Sequence, residues 1–73
     1  MTNYLLSLYD GDELLTATRY ESDTDAKALI EVGRRIHIFN DNHGRKHYTY
    51  RVILVTVNKD GLQHPVFNDV MCQ

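Results

Sequence analysis

The chain is short of the residues that most often supply staples or chemistry to small proteins. Its 73 residues hold one cysteine (Cys72), one proline (Pro65), four glycines and no tryptophan. A lone cysteine closes no intrachain disulfide, which excludes the disulfide frameworks of small secreted domains and favours a reducing, cytoplasmic setting. The longest uninterrupted apolar run is Val52–Val55, too short for a membrane span or the apolar core of a signal peptide. There is no glycine-rich loop of the kind that cradles phosphate. With proline and glycine so scarce, regular elements joined by a few sharp turns are expected.

A chain of this length makes a single domain, residues 1–73, with one small core. Little remains for the supporting shells of a deep pocket, so a non-enzymatic role without cofactor is expected. The formal net charge is −2, too small to point to nucleic acid or to a mimic of it. Its distribution is more telling. Residues 1–31 carry seven acids against Arg19 and Lys27, a net of −5, and residues 32–73 carry six bases against three acids, a net of +3. A chain polarised in this way can fold into a polarised surface that suits charged partners.

Tyr4, Leu6 and Leu8 alternate with Leu5, Ser7 and Tyr9, the period of a strand. Asp10-Gly11 signals a hairpin turn, and Leu14, Thr16, Thr18 and Tyr20 mark one face of a second strand. From Ser22 the period changes. Ser22 and Asp25 resemble a capping box, and Ala26, Leu29, Ile30, Val32, Gly33, Ile36 and Phe39 share one helical arc, with Ile38 a misfit. This predicts a helix over about 23–39. The competing reading ends it at Gly33 and begins another strand with Ile36 and Ile38. Asn40–Gly44 reads as a turn closing that element. Lys46–Val57 is the best strand, apolar on both faces and so central. Leu62–Phe67 predicts a short edge strand on account of Pro65, with a loose tail over 68–73. The expected fold is α+β in two layers, ββαβ or ββαββ: an antiparallel sheet of three to four strands with one helix across one face. Tyr4, Leu6, Leu8, Leu29, Gly33, Ile36, Val52 and Leu54 are the expected core.

Four histidines invite a metal reading. His43 and His47 have a zinc-like spacing, with His37 and Asp41 upstream. Cys72 is the only thiol, however, and solvated side chains around a turn explain these residues more simply, so no metal is expected. Cys72, His64 and Asp60 could be imagined as nucleophile, base and orienter, but a cysteine beside the last residue lacks the rigid setting that activates a thiolate. Paired carboxylates at Asp10 and Asp12 flank a turn, without the burial that raises a carboxyl pKa. No catalytic residues are assigned.

Two charged groups remain as binding candidates. Arg34, Arg35, Arg45, Lys46 and Arg51, with Tyr48 and Tyr50 on one strand face, form an expected basic patch that could contact phosphates and stack bases. Asp10, Asp12, Glu13, Glu21, Asp23 and Asp25 form an expected acidic patch that could dock on a Lys/Arg-lined groove of a protein, including one meant for nucleic acid.

The order "YLLSLYDGDELLTATRYES", then "SDTDAKALIEV", then "YTYRVILVTVNKDG" resembles in layout the small single-domain proteins of bacteriophages, among them the anti-CRISPR proteins. The resemblance implies a viral inhibitor acting in the host cytoplasm. Such a protein binds a host protein or ribonucleoprotein defence complex, without catalysis, and blocks its access to nucleic acid. It would act as a monomer or homodimer with no membrane partner. The alternative is a small nucleic-acid-binding domain using the basic, tyrosine-bearing sheet surface.

Overall fold

The hairpin turn expected at Asp10-Gly11 is present, but Asn40–His43 belong to the helix and not to a turn, and the strand expected over Lys46–Val57 begins at Thr49. The computed structural model describes all residues except His47 and Gln73, and the backbone alone of Cys72. The order is β1 (Thr2–Asp10), β2 (Glu13–Ser22), α1 (Asp25–His43), β3 (Thr49–Val57) and β4 (Gln63–Cys72). The strands form one antiparallel sheet in the order β2-β1-β3-β4, and the helix covers one of its faces. This is the two-layer α+β fold, with four strands.

The hairpin β1–β2 turns on Gly11 and Asp12, where Gly11 takes φ +59°. The helix starts two residues later than its sequence signal. Ser22 is still paired with Thr2 in the sheet, so the cap falls to Thr24, whose Oγ1 accepts from the Lys27 amide at 3.2 Å. It ends four residues later, because Asn40, Asp41, Asn42 and His43 complete a last turn. Gly44 then takes the left-handed conformation, φ +63°. The Arg45 and Gly44 amides donate to the carbonyls of Asn40 (2.9 Å) and Asp41 (3.4 Å), which is a Schellman cap. Gly33 lies inside the helix and ends nothing.

The buried helix stripe is Ala28, Val32, Ile36 and Asn40, spaced by four residues along a single face. It is rotated from the expected arc: Ile30 points to solvent at 77% exposure, while Leu29 and Gly33 flank the stripe, half-buried. Opposite lie Tyr4, Leu6 and Leu8 of β1, Tyr50, Val52 and Leu54 of β3, and Tyr20 of β2. Strand alternation explains why each of these is inside. Tyr4 and Tyr20 stack at 5.9 Å beneath the small Ala28, whose carbonyl accepts from the Tyr20 hydroxyl at 2.6 Å. At the other end the Tyr50 hydroxyl donates to Oδ1 of Asn40, the one buried polar side chain among the described residues.

Residues 68–72 are not a loose tail. β4 runs ten residues along the whole of β3, Val57↔Gln63 to Thr49↔Cys72, and Phe67 and Met71 pack against the core. Pro65 does sit on an outer strand, as its missing donor requires. Both outer strands carry one extra residue, Leu15 in β2 opposite Leu8 and Val66 in β4 beside Leu54.

Candidate binding surfaces

The six candidate acids fall in two groups, one near each end of the outer strand β2. Asp10, Asp12 and Glu13 surround the turn into β2, and Glu21, Asp23 and Asp25 follow its far end. All six are exposed. The seven residues 14–20, which include Arg19 and no acid, separate Glu13 from Glu21 by roughly 26 Å. β2 is an outer strand, so its far edge has no neighbour in the sheet. Asp10 accepts a hydrogen bond from Tyr48, Asp25 accepts one from Tyr4 at 2.7 Å, and Asp23 lies 3.5 Å from Lys27. Asp12, Glu13 and Glu21 form no ion pair among the described residues. The hydrogen bond to Asp10 raises the Tyr48 pKa, and the bond to Asp25, with burial, raises that of Tyr4.

The candidate bases do not gather. Arg34 and Arg35 share Glu31, at 2.7 and 3.4 Å, and the Arg35 guanidinium lies 4.4 Å above the Tyr20 ring. Arg45 covers the Tyr48 ring at 4.3 Å, with Lys46 exposed beside it. Tyr50 is fully buried and cannot stack a base. Arg51 is next along the strand and so projects from the opposite sheet face, donating to Asn68 at 3.2 Å. The expected basic patch of Arg34, Arg35, Arg45, Lys46, Tyr48, Tyr50 and Arg51 is therefore corrected to a smaller group, Arg45, Lys46 and Tyr48. This group sits against the acidic tip through Tyr48 and Asp10, so charge polarised along the chain is not polarised in space.

The sheet face away from the helix carries no covering element. The register sets four rows across it: Glu21, Asn3, Val57, Gln63; then Arg19, Leu5, Val55, Pro65; then Ala17, Ser7, Ile53, Asn68; then Leu14, Tyr9, Arg51, Val70. Its centre is aliphatic and its charges are only Arg19, Glu21 and Arg51. Sequence reasoning treated the β3 strand as apolar on both faces, which was the available signal, but assigned this face no role.

A cleft of about 320 Å³ separates the C-terminal half of α1 from β2. Leu6, Leu8 and Leu15 floor it, and Phe39, Arg35 and His43 stand on the helix side. The bulge residue Leu15 helps open it, and no sequence signal marked that.

The histidines are separated from one another. His37 pairs with Asp41 at 3.3 Å on the exposed helix surface, while the His43 ring stacks on Phe39 at 4.1 Å. No three potential metal ligands gather among the described residues, and His47 lies outside them. The imagined Cys72–His64–Asp60 set is spread out: Asp60 lies in the turn before β4, His64 pairs with Thr56 near that turn, and Cys72 pairs with Thr49 at the opposite end of β3. No described helix is long and apolar enough to cross a membrane. Comparison with protein families, with curated proteins and with solved structures finds no match for this chain.

Proposed function

We propose that this protein acts by binding, without catalysis, and that its acidic β2 border docks in a Lys/Arg-lined groove of a partner protein. The observation that carries this reading is a pair of exposed acidic clusters, Asp10, Asp12 and Glu13 at one end of the outer strand β2 and Glu21, Asp23 and Asp25 at the other. Charges held by a strand and its two turns are pre-positioned, so little ordering entropy is lost on docking. A groove that accepts a nucleic-acid backbone offers the complementary charge over a comparable length. The finer reading, a phage-type inhibitor that occupies such a groove in a host ribonucleoprotein defence complex in the cytoplasm, rests on this border together with the resemblance of layout. Direct nucleic-acid binding has less support, because Tyr50 is buried, Arg51 faces away from Arg45, and acids line the free edge.

The test is capture from host extract with the wild-type chain and with a variant carrying Asp12→Asn, Glu13→Gln and Glu21→Gln, the acids without an ion pair. The wild type is expected to retain a nucleic-acid-binding protein or complex at low salt, to lose it at high salt, and to abolish that partner's gel shift of DNA or RNA. The variant is expected to capture much less. Equal capture by both proteins would refute the acidic border as the interface.

A further inference from the structure

We propose that two copies of the chain associate face to face through the uncovered side of the sheet, about a two-fold axis parallel to the strands. This goes beyond the acidic-border reading and does not depend on it: of the six border acids only Glu21 lies in a row of this face, and the outer edge of β2 stays free in the pair.

Area is the first argument. Four strands of nine or ten residues present a footprint of roughly 570 Å². A pair of such faces hides roughly 1,100 Å², above the roughly 1,000 Å² that a specific interface must clear. The face is apolar enough to use that area, with Leu5, Ile53, Val55 and Val57 at its centre and Leu14 and Val70 each half exposed at its corners. An uncovered patch of this extent is larger than scattered surface apolar residues account for.

Self-complementarity is the second argument. A two-fold axis parallel to the strands lays β1 on β3 of the second copy, and β2 on its β4. Rows then match at equal height. Leu5 meets Val55 of the second copy, Ile53 fills the space over the small Ser7, and the Arg51 guanidinium meets the Tyr9 ring. Aliphatic meets aliphatic, Ile53 covers a small residue, and the one central charge meets an aromatic face. The same axis sends the two acidic β2 borders to opposite sides of the pair, whereas a perpendicular axis would stack β2 on β2 and bring like charges together.

Strand edges offer a poorer route to self-association. β4 carries Pro65 and an extra residue, and β2 an extra residue and charged side chains, the devices that stop sheets from extending edge to edge. On the face, Arg19 and Glu21 sit on the outer strand β2 and leave the aliphatic centre unguarded.

Sedimentation equilibrium of the full chain, from micromolar to submillimolar concentration, tests this. The wild type is expected at twice its 8.5 kDa chain mass, with little dependence on salt. Ile53→Thr with Val55→Thr keeps β-branched side chains in the strand and is expected to raise the dissociation midpoint by roughly tenfold or more. Ser7→Arg, which places a bulky charge where Ile53 of the second copy would sit, is expected to give a monomer. Ile30→Thr, on the exposed outer side of the helix, is the control that leaves the mass unchanged. Circular dichroism and cooperative unfolding establish that each variant is folded. A wild-type chain that stays at single mass at the highest concentration overturns the proposal, and so does a dimer that a folded Ser7→Arg variant still forms.

Discussion

Replacing Tyr50 by Phe removes one oxygen and leaves the ring in place, including its edge-on contact with Phe39 at 5.9 Å and 83°. What is lost is the hydrogen bond to Asn40, whose side chain then holds a bare carbonyl oxygen at a position only 6% exposed. A lost buried hydrogen bond costs about 1 kcal/mol and a stranded acceptor about 1–3 kcal/mol, so a destabilisation of about 2 kcal/mol is expected. That is a large share of the roughly 4–11 kcal/mol that a domain of this size holds in total. With a urea slope near ~1 kcal/mol per molar for so small a chain, the unfolding midpoint should fall by about 2 M. Asn40→Leu should cost a similar amount, because it strands the tyrosine hydroxyl instead. The Schellman cap survives that change, since it uses the Asn40 backbone carbonyl. The double variant should be more stable than the two losses added together, with a coupling of about 1 kcal/mol or more in a double-mutant cycle. A Tyr50→Phe variant within about 0.5 kcal/mol of wild type, the range of ordinary surface changes, would refute the reasoning. So would strict additivity, for then the two polar groups do not satisfy one another.

Three further outcomes can be checked in the same urea assay. Gly33→Ala should stabilise the protein by about 0.5–1 kcal/mol, because the glycine is helical and an added methyl meets no atom within 4 Å. A loss of stability there would refute the open surroundings of Gly33. Gly44→Ala should destabilise by about 1–2 kcal/mol although its surroundings are open, since φ +63° strains any L side chain. Alkaline pH should also unfold the protein. Burial pushes the Tyr20 phenol up from its ordinary 10.0 to about 12, and Tyr4 shifts the same way through its bond to Asp25 and its burial. The folded state thus favours the protonated phenols. The Tyr20 contribution is fully present below pH 10, where the unfolded chain begins to lose the proton, and is gone once pH passes about 12, while that of Tyr4 is lost in the same direction as pH rises. Tyr20→Phe should flatten the fall in urea midpoint over that window, and an unchanged slope would count against the assignment.

The acidic border and the uncovered face differ in how they were legible. The six acids were visible as candidates from their places around the Asp10-Gly11 turn and before the helix. That they share one border follows from β2 being an outer strand, which depends on β3 inserting beside β1. The basic patch dispersed for a related reason. Tyr50 and Arg51 are adjacent in sequence and therefore project from opposite faces of a strand, and only the position of the helix decides which of the two is buried.

Local chemistry alone determined much of this protein. Strand alternation placed Tyr4, Leu6 and Leu8 inside, Asp10-Gly11 marked the hairpin turn, and the change of period announced a single helix. Those signals act over a few residues, so they need no knowledge of the rest of the chain. Tertiary structure decided the remainder. β4 extends to Cys72 because β3 offers it a full-length partner, against the weak propensity of its last residues. The helix runs to His43 because Asn40 finds the Tyr50 hydroxyl beneath it and Gly44 closes the last turn. The sheet keeps one face bare because the chain supplies one helix for two faces, a shortage that can be counted only once all four strands lie side by side.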